Sequence, residues 1–117
     1  MTVNQILAVK GKEVYSVLPS ITVYEALVSM SEKNIGAILV VEDNVLKGIL
    51  SERDYARKIA LKDKSSKETL VEEIMASNVI TVKPKDDLDY CMELMYTKKI
   101  RHLPVLENET IIGIIPI

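Results

Sequence analysis

The sequence predicts a mixed α/β (α+β) fold of two tandem β-α-β-β-α repeats with pseudo-twofold symmetry, in which the second repeat lacks its final helix. Residues 14–52 align with residues 79–117 at a constant offset of sixty-five positions, without a gap. Ten of the thirty-nine aligned pairs are identical, and most of the others keep their apolar or polar character. A chain of 117 residues with 48% hydrophobic content is also enough for one domain with its own core.

The domain boundaries follow from this period. We expect a single domain over residues 1–117, with the first repeat at about 6–61, a linker at about 62–69 and the second repeat at about 70–117. The same offset extends upstream, where Ile6 and Val9 fall on Val71 and Ile74. Two similar units in one chain imply related clefts along the seam between them, and clefts of this kind are common ligand sites.

Each repeat opens with a short extended stretch and a helix. Proline closes the stretch at 14–17, because Pro19 follows two residues later. A helix is predicted from Val23 to about Lys33, where apolar residues recur at helical spacing. Thr22 and Glu25 form a capping box at its start. The second repeat has the corresponding stretch at 79–82 and a helix with capping acids Asp86 and Asp87 and apolar residues Leu88, Cys91, Met92 and Met95.

Two strands and a last helix complete the first repeat. A buried strand at 37–41 leads through a polar turn into a strand that ends GIL. Ser51 then caps a helix. Pro116 stands at the equivalent place in the second repeat, so we expect uncovered apolar surface there, for which a partner chain is one possible cover. The residues concerned are Tyr55, Ile59 and Ala60 on the face of the first repeat's helix, and Ile111, Ile112, Ile114 and Ile115 at the uncovered surface.

Composition argues against several function classes. A net charge of -2 and 4% aromatic residues give neither a basic stripe nor stacking platforms, so nucleic acid is not an expected partner. The apolar runs are short and the N-terminus lacks a secretory pattern, so we expect no membrane segment and a cytoplasmic location. Cys91 aligns with Ala26 and is expected to be a buried small residue. Without catalytic or metal-ligand spacing, we expect no enzyme, no metal and no required cofactor.

Three segments carry a family resemblance. GAILVVE and GILSERD in the first repeat and KKIRHLPVL in the second occur in order at a constant offset, and together resemble a cystathionine β-synthase (CBS) domain pair. The resemblance covers nearly the whole chain. It implies a stand-alone regulatory module in which two units pack sheet to sheet and bind an adenosine-containing ligand such as AMP, ATP or S-adenosylmethionine in the cleft between them. It also implies a homodimer.

The GILSERD segment matches the family's ligand motif, Gly-apolar-apolar-Ser/Thr-x-x-Asp. By resemblance, Asp54 accepts hydrogen bonds from the ribose hydroxyls, and Ser51 with the following helix amides meets a phosphate, to which Arg53 adds charge. These roles suit the chemistry of the side chains. The alternative is that Ser51 and Asp54 are only a capping box, which needs no ligand.

Seven further positions are implied by the resemblance. The strand before the first helix frames the adenine, and small residues after the helix allow close approach. Basic residues of the second repeat reach phosphate, which a guanidinium fork fits well. These positions are Tyr15, Ser16, Val17, Gly36 and Ala37 around the base, and Arg101 and His102 at the phosphate. The alternatives are that Ser16 is only a strand-edge hydroxyl and that His102 is a packing residue. The second cleft should be a poorer ligand site, because Pro116 stands at the position of Ser51.

Two functional hypotheses follow. In the first, the chain is a sensor whose adenosyl ligand shifts the pair or its dimer between arrangements. In the second, it is a ligand-free dimerisation or protein-interaction module, because a two-layer unit buries only one side of each helix. A separate effector protein is a possible partner in either case.

Overall fold

The computed structural model describes residues 1–116, which form two compact units. The central unit is residues 15–79, and the terminal unit joins residues 1–14 to the chain from residue 80 onward. The helices and strands are, in chain order, α1 Val3–Lys10, β1 Ser16–Val17, α2 Val23–Lys33, β2 Ala37–Glu42, β3 Val45–Ser51, α3 Glu52–Tyr55, a π-helical turn Ala56–Ala60, α4 Val71–Ile74, α5 Leu88–Lys98, β4 His102–Glu107 and β5 Thr110–Pro116.

The fold class is confirmed, because both units are mixed α/β structures with the predicted order of helix and strands. The compact units nevertheless divide the chain at other places than the repeats do. The expected repeat limits, about 6–61 and 70–117, describe similarity in sequence and remain a prediction. Along residues 1–116, none of the helices is long and apolar enough to cross a membrane.

The central unit is a three-stranded sheet packed on α2. The strand order is β1-β2-β3, with β1 parallel to β2 and β3 antiparallel to β2. The apolar face of α2 packs in one cluster with β2 and β3, which include Ile38 and Leu50. As predicted, α2 begins after a capping box in which the Glu25 amide donates to the Thr22 hydroxyl at 3.1 Å. Left-handed Asn34 ends the helix.

Both hairpins turn through two residues with positive φ. Asp43 and Asn44 have φ angles of 53° and 62°, and Asn108 and Glu109 have 50° and 67°. Two-residue loops with positive φ at both positions match the right-handed twist of the flanking strands, and Asn and Asp tolerate this conformation. The polar turn predicted for the first repeat is therefore confirmed, and the second repeat has the same kind of turn.

The terminal unit is a two-stranded sheet, β4-β5, covered by α1 and α5. Leu7 of α1 and Cys91 of α5 are fully buried beside Leu103. Ile115 is only 5% exposed, and Ile112 packs against the same cluster. The expectation that this surface lacks a cover is therefore wrong for Ile112 and Ile115, because α1 of the same chain packs against β5, whereas Ile111 and Ile114 are half-buried.

Equivalent backbone hydrogen bonds hold α1 and α4 to their units. The Val3 amide donates to the Asp86 carbonyl at 2.8 Å, and the Val71 amide donates to the Ile21 carbonyl at 2.9 Å. Ile21 and Asp86 occupy equivalent positions of the two repeats at the sixty-five-residue offset. Val3 of α1 therefore corresponds to Val71 of α4, an offset of sixty-eight.

This register corrects the upstream alignment of the sequence. The predicted pairing of Ile6 with Val71 and of Val9 with Ile74 is wrong by three residues. Ile6 corresponds to Ile74 instead, and Val9 is 85% exposed. The cause is the length of the helices, since α1 has eight residues and α4 has four, so more residues separate the start of α1 from the extended stretch that follows it.

Gly48 and Gly113 occupy equivalent positions in the two repeats. Gly48 lets α4 approach β3, and Gly113 lets α1 approach β5. A Cβ on Gly48 would lie 2.6 Å from the Met75 sulfur and 2.8 Å from the Ala76 carbonyl oxygen. A Cβ on Gly113 would lie 2.7 Å from a methyl carbon of Leu7. Leu7 and Met75 occupy equivalent positions at the sixty-eight-residue offset, so the same close contact between helix and glycine occurs in both units.

We expect Gly48→Ala to lower the free energy of unfolding by about 1–3 kcal/mol, because the added methyl group meets backbone as well as side chain. Gly36→Ala is the matched control. A Cβ there would meet only the flexible, exposed Glu52 carboxylate, at 3.3 Å. Urea denaturation of both variants measures the difference, and equal stabilities would contradict this account of the glycine.

Candidate functional site

The ten candidate site residues are divided between the two units. Eight belong to the central unit and two to the terminal unit. The central set is Tyr15, Ser16, Val17, Gly36, Ala37, Ser51, Arg53 and Asp54, and the terminal set is Arg101 and His102.

The central set lies at one end of the three-stranded sheet. Ala37, the first residue of β2, pairs with Ser51, the last residue of β3. On the other side of β2, Ser16 pairs with Leu39 in parallel, and the Leu39 amide donates to the Tyr15 carbonyl at 3.3 Å. The start of β1, the start of β2 and the end of β3 thus meet at the same end of the sheet.

Ser51 and Asp54 form a closed local hydrogen-bond network. The Ser51 amide and hydroxyl both donate to Oδ2 of Asp54, each at 3.0 Å. In return, the Asp54 amide donates to the Ser51 hydroxyl oxygen at 3.1 Å. The capping box considered as the alternative in the sequence is therefore present, and it fixes the Asp54 carboxylate at the start of α3.

Lys58 is a site residue that the sequence analysis did not name. Its Nζ lies 3.2 Å from Oδ1 of Asp54 and donates to the Ile74 carbonyl at 2.8 Å. The Asp54 side chain is 16% exposed and that of Lys58 45%. An acid and a base four residues apart in a helical segment are a recognisable signal in the sequence, and this spacing could have identified the pair.

The amides at the start of α3 are largely used within the unit. The Glu52 amide donates to the Gly36 carbonyl at 3.0 Å, and the Asp54 amide is bonded to Ser51. The Ser51 hydroxyl also has its one proton directed at Asp54. The predicted phosphate contact through Ser51 and these amides would therefore require a rearrangement, and it stays a prediction.

The residues expected around the base differ in exposure. Ser16 is exposed, Tyr15 and Val17 are half-buried, and Ala37 is buried. The Lys33 ammonium lies 5.2 Å from the centroid of the Tyr15 ring, a cation–π geometry that holds the ring in place. An ordered aromatic ring thus borders this end of the sheet.

Arg101 and His102 lie where α5 leads into β4 of the terminal unit. Arg101 is exposed, and His102 is half-buried and pairs with Pro116 across the hairpin. This pair matches Ala37 and Ser51 of the central unit at the sixty-five-residue offset. The two units therefore share a backbone arrangement at this point and differ in its chemistry.

Cys91 is a core residue, as expected. Its side chain is fully buried in the terminal unit. Burial raises the pKa of the Cys91 thiol, and the carboxylates of Asp86 and Asp87 raise it further. The thiol therefore remains protonated and is not an activated nucleophile. Residues 1–116 also contain no cluster of His, Cys, Asp and Glu that could hold a metal ion.

Comparison with known proteins gives consistent matches over the whole chain. The family model described as CBS domain matches residues 7–61 and 71–117. The CBS domain-containing protein CBSX3, mitochondrial, of Arabidopsis thaliana is 44% identical over 101 residues, which are 82% of this chain and 49% of that protein. The chain thus spans about half the length of this relative.

Two solved structures have closely similar folds. A protein with CBS domains from Burkholderia ambifaria is 47% identical, with a TM-score of 0.95 over 99% of this chain and 88% of the other. The CBS domain pair of protein MJ0100, solved in complex with 5′-methylthioadenosine and S-adenosyl-L-methionine, is 27% identical. Its TM-score is 0.86, over 99% of this chain and 89% of the other.

We expect Ser51→Ala to lower the free energy of unfolding by about 1 kcal/mol in the absence of any ligand, because the variant loses the capping hydroxyl of α3. Ser16→Ala, at an exposed position of β1, serves as the control and should leave stability unchanged. Urea denaturation measures both. A Ser51→Ala protein as stable as the wild type would show that the capping box does not hold the site.

Proposed function

The chain belongs to the CBS domain family, and from this premise we propose that it is a regulatory module that binds an adenosine-containing ligand. AMP, ATP and S-adenosylmethionine are the candidate ligands. The observation that carries the proposal is the Asp54 carboxylate, which the capping box holds at the end of the sheet within an intact GILSERD segment. A fixed carboxylate is a suitable acceptor for ribose hydroxyls.

The ligand class is supported by a relative. The structure of MJ0100 contains 5′-methylthioadenosine and S-adenosyl-L-methionine, and both molecules include an adenosine. That protein and this chain share the fold over almost their entire lengths. We therefore infer the adenosine group, rather than any particular substituent at its 5′ position, as the common element of recognition.

Each candidate residue has a proposed role. Asp54 accepts from the ribose, and the Tyr15 ring borders the base together with Ser16 and Val17. Small residues at 36 and 37 let the base approach the backbone. The remaining candidates are basic residues proposed to contact a phosphate, and among them the charge of a guanidinium is always present at neutral pH. They are Arg53, Arg101 and His102.

Regulation requires a ligand that favours one arrangement of the protein over another. A ligand shifts a conformational equilibrium only by its difference in affinity for the two states. We propose that the adenosyl ligand does this for the chain or its homodimer, and that a separate effector protein responds. In this proposal the chain is not an enzyme, needs no cofactor and acts in the cytoplasm.

Isothermal calorimetry with AMP, ATP and S-adenosylmethionine tests the proposal. We expect at least one of them to bind, and Asp54→Asn to weaken that binding roughly tenfold or more, because a hydrogen bond to a charged acceptor is lost. Asparagine keeps one oxygen for the Ser51 donors, so the fold should persist.

Asp43→Asn is the matched control for this experiment. It removes the same charge from the β2–β3 turn, at a position with φ of 53° that asparagine adopts readily. Its affinity should equal that of the wild type. Absence of heat with all three ligands at millimolar concentration would contradict the proposed function.

A second candidate function is a ligand-free association module. It is favoured by the exposed large side chains of α5, where Tyr90 is 47% exposed, Met92 51% and Tyr96 85%. Met92 and Tyr96 are four residues apart and share one face of the helix. An exposed apolar face of this kind is typical of an interaction surface, and we propose a second copy of the chain as its partner.

Light scattering tests this association. We expect the wild type to have twice the chain mass of 13.1 kDa, and the double variant Met92→Lys, Tyr96→Lys to have the mass of a monomer. Val9→Lys, on an 85% exposed residue of α1, is the control and should leave the dimer intact. A monomeric wild type would remove this function, whereas ligand binding by the monomer would leave the sensor proposal standing.

A further inference from the structure

We propose that Lys58 limits Asp54 to binding a single ribose hydroxyl, so that the site distinguishes between the two hydroxyls of the ribose. This inference rests on the proposed function, since it concerns how the same carboxylate binds its ligand. It makes Lys58 a specificity-determining residue.

An ionised carboxylate has about four acceptor positions, two on each oxygen. On Asp54, Oδ2 already accepts two hydrogen bonds, from the amide and the hydroxyl of Ser51 at 3.0 Å each. Oδ1 receives the Lys58 ammonium at 3.2 Å. About one position therefore remains, on Oδ1, whereas a vicinal diol that binds through both hydroxyls needs two.

The Ser51 donors stay in place because they belong to a capping box. One of them is the backbone amide, whose position is fixed by the pairing of β3 with β2. The other is the hydroxyl that also accepts from the Asp54 amide at 3.1 Å. Releasing either donor would break the capping box at the start of α3. The occupancy of Oδ2 is thus a consequence of the fold.

Lys58 is held by a second contact that does not involve Asp54. Its ammonium donates to the carbonyl of Ile74 at 2.8 Å. Ile74 is the last residue of α4, and the final carbonyls of a helix have no partner within the helix. Lys58 therefore caps α4, and moving it away from Asp54 to admit a second hydroxyl would also disturb this cap.

Lys58 lies within the π-helical turn. The Leu61 amide donates to the Ala56 carbonyl at 2.9 Å, five residues back, which defines the wider turn. Within this turn Ile59 is 2% exposed, whereas the next residue, Ala60, is exposed, contrary to the face predicted from the sequence. Isolated π-helical turns are rare and often occur at functional sites.

The consequence for the ligand is specific. One hydroxyl of the ribose binds Asp54, and the other makes no contact with this carboxylate. The site should therefore accept an adenosine whose second ribose hydroxyl is missing. Replacing Lys58 by methionine keeps an apolar side chain of similar length, removes the ammonium and frees a second acceptor position on Oδ1.

Calorimetry with AMP, 2′-deoxy-AMP and 3′-deoxy-AMP tests the inference. For the wild type we expect one deoxy analogue to bind within about twofold of AMP and the other to bind roughly tenfold more weakly or worse. For Lys58→Met we expect both analogues to bind roughly tenfold more weakly than AMP does to the same variant. Lys62→Met, at an exposed position, is the matched control and should keep the wild-type pattern.

Each result has a defined meaning. If Lys58→Met keeps the wild-type pattern, or if the wild type loses equal affinity with both analogues, the inference is wrong although AMP binding and the proposed function stand. If AMP does not bind the wild type at all, the failure lies in the proposed function and the inference falls with it. A merely structural Lys58 would change affinity for all three nucleotides by the same factor, which also contradicts the inference.

Discussion

Close packing of a helix against a glycine in the last strand of each hairpin is the constraint on which both units depend. Leu7 of α1 and Met75 after α4 occupy the space that a Cβ would fill at Gly113 and Gly48. In the terminal unit the helix precedes the strand that it covers, whereas in the central unit the helix follows it in the chain. A larger residue at either glycine would separate helix and sheet and expose core residues on both sides.

The same packing prepares the proposed ligand site of the central unit. Because α4 is held against β3, its last carbonyl lies within reach of Lys58, which joins the Ile74 carbonyl to the Asp54 carboxylate. Asp54 is in turn fixed by Ser51, whose backbone belongs to β3. The acceptor geometry of one carboxylate thus depends on contacts that also stabilise the fold, and a ligand that disturbs Lys58 would also disturb α4.

Features set by neighbours in sequence were predictable, and features set by distant contacts were not. The bounds of α2, its capping box with Thr22 and the polar hairpin turn of the first repeat follow from local residue types, and all are confirmed. The cover that α1 gives β5 was missed, because it joins residues about a hundred positions apart. The Asp54–Lys58 pair could have been predicted from its four-residue spacing, but the second contact of Lys58 could not, because Ile74 is sixteen residues away and no local pattern indicates the π-helical turn.

The two units share a backbone but only one of them has the chemistry of the proposed site. Ala37 pairs with Ser51 in the central unit as His102 pairs with Pro116 in the terminal unit. The amide of Ser51 is one of the two donors that fix Asp54, and a proline has no amide proton. A carboxylate that followed Pro116 would therefore lack that donor and the hydroxyl, whatever its position in the chain. The carboxylate proposed to accept from ribose is for this reason a property of the central unit, whereas Arg101 and His102 stand at the positions of the terminal unit equivalent to Gly36 and Ala37.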